Sequence, residues 1–407
     1  LAIPNVLCSF RQSRNWANTP LRSRIAPCIL PSSLPHCAGI SRKPSRFSPK
    51  NSAASCGRSY LPDIMDNFIK RSLNERLEII NQTAAKLDMA PAAIEKDFWV
   101  CWMLQRLFQS TLKESIIFKG GTSLSKVYGY IKRFSEDIDL ILNWDEFRTS
   151  TEWNPSTRYG KAGREKMMKA LDEWNARQVA EAVLPVVQEC CGDICSAALS
   201  QEAPEVIVIT YPKNYPGSYI RPEILLEIGP KAAWNPHAEH TVSPYMAELY
   251  PMLFKNADAK VTVTTAERAF WEKITILHAQ VNRNSSLPSR YARHYYDTIM
   301  MARNADLKNS AFADVRLLYQ VSSFKYYFYR AGWADYPNAV PGTMHLIPSG
   351  HILKELEVDY QNMQREMLPA DAPSFAVIMA ELAVLEQEIN QLSPLPLDIT
   401  NYPTMEL

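Results

Sequence analysis

The chain has 407 residues, 46% of them hydrophobic, with 44 basic and 43 acidic side chains and a formal net charge of +1. That length accommodates two ordinary domains or one large one, with a sizeable buried core. No apolar run reaches the roughly 18 residues of a membrane helix, so a soluble protein is expected and a membrane partner is not.

The charge is unevenly spread along the chain. Residues 1–63 carry nine Lys or Arg, a single acid (Asp63) and no Met, which leaves 35 basic and 42 acidic residues in 64–407, a net charge of −7. An acidic body argues against broad, nonspecific binding to nucleic acid. The leader is rich in Arg, Ser and Pro and lacks hydrophobic periodicity, a composition that can mimic an organelle transit peptide. A disordered tail, or sequence upstream of the true start, accounts for it better, because the first Met is Met65, directly before the first helical pattern. Residues 1–64 are therefore set aside from the fold. Of the eight cysteines, Cys8, Cys28, Cys37 and Cys56 fall in this leader, and no CxxC spacing occurs. Neither a zinc site nor a disulfide framework is indicated, and a reducing cytoplasm fits best.

In chain order, 66–88 reads as an amphipathic helix, and a second begins at Pro91 and runs through the apolar "FWVCWML". A strand is expected at 115–119, a short helix at 122–129 and a second strand at 137–143. The stretch 163–191 has helical spacing. "PEVIVITYP" (204–212) and "PEILLEIGP" (222–230) are strand-like, each fenced by prolines, and can pair as a hairpin. From Thr264 onward the pattern is mainly helical, with the aromatic "FKYYFYRAGWADY" (324–336) fitting core better than a base-stacking surface.

The chemistry concentrates in "FKGGTSLSKVYGYIKRFSEDIDL", residues 118–140. Gly120 and Gly121 stand between a strand and a helix, where the absence of Cβ allows a sharp turn and close approach of a ligand. The helix start aims N–H groups at an anion, and Thr122 or Ser123 can add a hydroxyl. Asp137 and Asp139 project to one face of the next strand while Ile138, Leu140 and Leu142 point to the other. Two such carboxylates repel unless a cation lies between them, and Mg²⁺ carrying a nucleoside triphosphate (NTP) suits their hard oxygens. Turn, helix and Asp-x-Asp strand together are the working parts of polymerase-beta-type nucleotidyltransferases. A third carboxylate is sought on 222–230, where Glu223 and Glu227 share a face; Glu227, deeper in the apolar run, is preferred.

The sequence resembles the AbiEii/AbiGii toxin family of nucleotidyltransferases from type IV toxin–antitoxin and abortive-infection systems. The resemblance rests on "EKDFWVCWML" (95–104), the 118–140 motif, "TTAERAFWEKITILH" (264–278), "RYARHYYD" (290–297) and "VDYQNMQREML" (358–368), and covers the chain from Met65 nearly to its end. It implies an α/β (α+β) nucleotidyltransferase fold: a small mixed sheet flanked by helices in 65–262, completed by a mainly helical part in 263–407. It implies transfer of NMP from an NTP to an acceptor hydroxyl, with the tRNA 3′ end as acceptor and an AbiEi-like antitoxin as partner. It further implies catalytic roles for Lys273, pairing with triphosphate oxygens, and Asp297, orienting Lys273 or the acceptor; without it both read as solvated helix charges. Where the family often has Arg-Asp this chain has Arg293-His294, and His294 reads as a surface histidine. The run Lys126, Lys132 and Arg133 offers a local basic patch for RNA or a solvated helix end. Glu95, Lys96 and Asp97 read as braces of their helix, and Asp359, Tyr360 and Met363 have no chemical role in the sequence. Three rivals stand beside this reading: a small-molecule nucleotidyltransferase, a protein-modifying one, and a noncatalytic nucleotide-binding member.

Overall fold

The structure is a computed structural model that describes residues 64–400, apart from 136, 152, 154–159, 216–220, 222 and 256. The basic leader thus lies outside the described residues, save for Ile64. Two helices, α1 (Ile64–Ile69) and α2 (Leu73–Leu87), occupy the span expected to be one. Ser72 and Glu75 form a reciprocal capping box that starts α2 anew. On α1, Asp66 accepts from the indole of Trp102 and from Arg106, which tethers it separately. Helix α3 (Pro91–Gln109) starts with Pro91 in its first turn, as expected, and is buried on almost every side.

Strand β1 (Ile116–Lys119) runs straight into α4 (Gly120–Lys126), two residues earlier than the sequence suggests. Strand β2 (Ile138–Leu142) follows, then α5 (Asp145–Ser150) and α6 (Lys161–Gln178). The expected helix 163–191 is interrupted by a π turn at Val179–Val183 before α7 (Leu184–Cys191). Pro185 explains the break, because it has no N–H to donate and its ring crowds the carbonyl four residues back. Strands β3 (Ser196–Leu199), β4 (Val206–Thr210) and β5 (Glu223–Gly229) come next, and β4 and β5 pair antiparallel as expected. Strand β6 (His237–Val242), helix α8 (Tyr245–Leu249) and strand β7 (Ala259–Thr264) are not evident in the sequence. The polar, alternately exposed β6 has the composition of an edge strand rather than an apolar run.

The seven strands form one mixed sheet in the order β3-β4-β5-β2-β1-β7-β6. β1 and β2 are its central antiparallel pair, β5 lies parallel to β2, and β7 lies parallel to β1. One face packs Ile138, Leu140, Leu226 and Ile228 with α3 in the larger apolar cluster. The helical part comprises α9 (Ala266–Val281), α10 (Arg293–Ala302), α11 (Ala305–Ala313), α12 (Val315–Phe328), α13 (Gly350–Glu366) and α14 (Phe375–Asn390). It has its own apolar cluster, which takes Leu124 and Ile131 from the sheet half, while Phe324 and Phe328 of α12 pack into the sheet cluster. The two aromatic residues most buried in 324–328 are therefore core, as the sequence suggests. Among the described residues no helix is long and apolar enough to cross a membrane.

Candidate active site

The turn is built without slack. Gly120 has φ +84°, and a Cβ there would fall 1.8 Å from Asp139 Oδ2. Both the backbone conformation and the space taken by the carboxylate require glycine. A Cβ on Gly121 would fall 2.7 Å from Ser135 Oγ and 2.9 Å from Arg133 Nη2. Thr122 and Ser123 are 1% and 2% exposed. The Thr122 hydroxyl donates to the Asp137 carbonyl at 2.5 Å and meets the Ser135 hydroxyl at 3.0 Å, and Ser123 donates to the Gly120 carbonyl at 2.8 Å. Both hydroxyls thus donate within the turn and brace it. What α4 still presents is the set of first-turn N–H groups that no helix satisfies internally.

The acids converge through strand register. Asp139 stands opposite Lys119 on β1 and level with Glu227 on β5. Glu223 is paired instead with Thr210, four residues back along β5, so register favours Glu227. Burial, and then the charges of Asp139 and Asp137, push the Glu227 carboxyl up to about 7, against Lys119 and Arg293. Among the described residues no three His, Cys, Asp or Glu side chains are already gathered round a metal ion's position. The donor chemistry nonetheless fits a hard divalent cation: the groups are all carboxylates, and one is driven towards neutrality by burial and then by the charges of the others.

Facing these acids is a cluster of cations around one carboxylate. Asp297 on α10 is fully buried. It accepts from Lys273 of α9 at 2.6 Å and from Arg133 Nε and Nη2 at 2.6 and 2.8 Å. Burial alone would raise this carboxyl, but Arg133 and Lys273 together hold it well below the usual carboxylate range. Burial lowers Lys273 from its ordinary value, and the charges of Arg133 and Arg293 add to this against the pull of Asp297. One acid between two bases leaves a surplus positive charge beside the turn.

A family model described as "Nucleotidyl transferase AbiEii toxin, Type IV TA system" matches residues 102–381. The chain belongs to that family. It is an AbiEii nucleotidyltransferase, and membership implies an NTP substrate and an antitoxin partner. Among solved structures it is similar to MenT4, a nucleotidyltransferase toxin from Mycobacterium tuberculosis H37Rv, at 16% identity and TM-score 0.40, covering 77% of this chain and 90% of that one. It is also similar to JHP933 from Helicobacter pylori, at 13% identity and TM-score 0.38, covering 74% and 92%. No curated protein matches the chain in sequence.

Several residues of this AbiEii protein sit otherwise than their sequence suggests. His294 is not a surface group: its Nδ1 lies 3.4 Å from Lys273 Nζ, and burial, then Lys273 and Arg293, hold it well below its ordinary value. The run Lys126, Lys132 and Arg133 does not form a basic patch. Lys126 is buried against Asp97 at 2.6 Å, Arg133 is buried against Asp297, and only Lys132 is exposed, near Asp371. Glu95, Lys96 and Asp97 do brace α3, by bonding Asn214, the Arg221 carbonyl and the Tyr245 N–H. Asp359 on α13 gains a role: its two oxygens accept from the N–H groups of Arg290 and Ala292, each at 2.7 Å. This fixes the turn at Arg290, where φ is +63°, and delays α10 until Arg293. Arg133 as partner of Asp297 had no sequence signal, because no spacing relates residues 133 and 297.

Proposed function

We propose that this AbiEii protein transfers NMP from an NTP to the 3′-terminal hydroxyl of tRNA, releasing pyrophosphate, in the bacterial cytoplasm and under the restraint of an AbiEi-like antitoxin. The observation that carries the reading is the placing of Asp139 level with Glu227, beside Asp137 and the Gly120–Gly121 turn, with the Lys273–Asp297–Arg133 cluster opposite. Asp137, Asp139 and Glu227 would hold Mg²⁺. Bound there, the ion would neutralise the triphosphate and favour ionisation of the attacking hydroxyl.

The protein's own groups do the rest. Gly120 and Gly121 admit the phosphates against the first-turn N–H groups of α4, with Thr122 and Ser123 keeping that turn in shape. Lys273 grips the triphosphate as a point charge. Asp297 serves as a positioning carboxylate rather than a base, since Arg133 and Lys273 occupy its oxygens and hold it ionised. The acceptor oxygen forms a bond to the α-phosphorus as the bond to pyrophosphate breaks in line.

The test incubates the full chain and an Asp137→Ala/Asp139→Ala variant with Mg²⁺, each α-labelled NTP and total bacterial RNA. Label should enter a tRNA-sized band with the intact protein and fall by about a thousandfold or more with the variant. Label in small molecules or polypeptide alone would reject the RNA acceptor while keeping the metal acids. Equal labelling by the variant would reject the acids.

A further inference from the structure

His294 is the second residue of α10, and long-range contacts fix it there. The chain enters α10 through the left-handed turn at Arg290, with Asp359 accepting from the N–H groups of Arg290 and Ala292. The Tyr291 ring packs against the imidazole at 64°, with 4.8 Å between ring centres. The Thr298 hydroxyl donates to the His294 carbonyl at 2.7 Å. Asp297 follows three residues later, on the same face of the helix. Both side chains therefore reach Lys273 of α9, Asp297 through Oδ2 at 2.6 Å and His294 through Nδ1 at 3.4 Å.

The chemistry of the two partners decides which one donates. An ammonium has three N–H groups and no lone pair, so Lys273 donates and Nδ1 of His294 is the bare nitrogen. The ring proton then sits on Nε2. Burial first, then Lys273 and Arg293, with Arg133 behind them, hold the imidazole well below its ordinary value against Asp297 alone. A neutral ring accepts a hydrogen bond without adding negative charge. The positive charge left over from Lys273 and Arg133 around one acid is therefore kept. Two of the three Lys273 N–H groups are thus assigned, and among the described residues no acceptor lies within hydrogen-bond distance of the third. Lys273 keeps 12% of its side chain exposed.

Resting on the reading that Lys273 grips the triphosphate, we propose that His294 is a positioning residue for nucleotidyl transfer. As the Nε2–H tautomer it accepts through Nδ1 from Lys273, and together with Asp297 it turns the remaining N–H of the ammonium towards the triphosphate. Held by Asp297 alone, the ammonium could rotate about its own C–N bond and the flexible stem could swing round the carboxylate. Two bonds from one helix face leave a tetrahedral ammonium a single direction for its third. The freedom is then lost on folding and not at the moment of reaction. A histidine that merely filled space beside Tyr291 would be replaceable by any apolar side chain of similar size.

The tautomer is measured first, on the wild-type full chain without nucleotide or metal. Long-range proton–nitrogen correlation spectra of protein labelled with nitrogen-15 histidine separate bare from protonated ring nitrogens, and the His294 signals are those missing from His294→Asn. A neutral ring with a bare Nδ1 at neutral pH is expected; a proton on Nδ1, alone or with one on Nε2, would overturn the proposal. Affinity is measured next, with Mg²⁺ and an NTP analogue whose α and β phosphorus atoms are joined by a methylene group and cannot be parted. Asparagine sets an oxygen near the place of Nδ1, whereas leucine and phenylalanine keep bulk without an acceptor. His294→Leu and His294→Phe should each bind the analogue about tenfold or more weakly, and His294→Asn within about threefold of wild type. Wild-type affinity in the apolar variants, or an equal loss in all three, would overturn the proposal. A wild type that binds the analogue but labels no RNA would reject the RNA acceptor and leave the role of His294 standing. A wild type that binds no analogue would reject the grip of Lys273, and the proposal with it.

Discussion

Two buried Asp–Lys pairs, both at 2.6 Å and one of them anchored on the last residue of α4, differ in their balance of charge. Asp97 and Lys126 form a closed unit: one acid, one base, a backbone N–H from Tyr245 on the second carboxylate oxygen and the Tyr245 ring 3.5 Å beneath the ammonium. Asp297 is shared by Lys273 and Arg133, so one unit of positive charge is left over, and Lys273 keeps 12% of its side chain exposed. A balanced pair has nothing left to offer a ligand. An unbalanced one holds a charge ready in a fixed place, at a desolvation cost that an incoming anion offsets.

The largest expected effect breaks both units at their acids. Asp297→Asn strands two buried cations and should cost about 4 to 5 kcal/mol in chemical denaturation, and Asp97→Asn strands one and should cost about 3. Transfer per folded molecule should collapse only in the first. Equal losses of transfer would erase the distinction between the pairs.

Next come the lysines. Lys273→Met leaves Asp297 its fork from Arg133, so stability should stay within about 1 kcal/mol while transfer falls about a hundredfold or more. Lys126→Met leaves Asp97 without a cation and should lose about 3 kcal/mol, with kcat and KM unchanged. A Lys273→Met variant that unfolds like Lys126→Met would show that the surplus cation is structural.

The smallest effect concerns the acids opposite. Glu227 has a folded-state value of about 7, above the roughly 4.3 of an unfolded chain. Its contribution to stability is therefore full below the unfolded value and lost as pH rises through 7. Without divalent metal, Tm should drop between pH 5 and pH 8 by a few degrees more in wild type than in Glu227→Gln, and Mg²⁺ should close that gap. Parallel pH profiles with and without Mg²⁺ would separate Glu227 from the metal site.

The sequence is most informative where the chemistry is local. Gly120, Gly121, Asp137 and Asp139 lie within twenty residues, so glycine stereochemistry and strand alternation are enough to single them out, although β2 begins only at Ile138 and leaves Asp137 one residue before it. Glu227 over Glu223 follows from the depth of an apolar run, and register gives the same preference. Tertiary partners are another matter. Nothing in "IKRFSED" says whether Arg133 meets solvent, RNA or a carboxylate on α10, and the same ignorance hides the capping role of Asp359. Helix breaks at Ser72 and Pro185 had local signals, a capping box and a proline, which longer amphipathic patterns masked. The polar edge strand β6 carries no apolar alternation to find.

The dispersion of these residues along the chain has a temporal side. The Gly turn and Asp139 are synthesised early, but Lys273 and Asp297 follow more than a hundred residues later, and the turn before α10 is pinned by Asp359, later still. Contacts of such separation form only after the loops between them close. A nascent chain therefore carries Asp139 and the glycine turn without the Lys273–Asp297 cluster until most of the protein has been made.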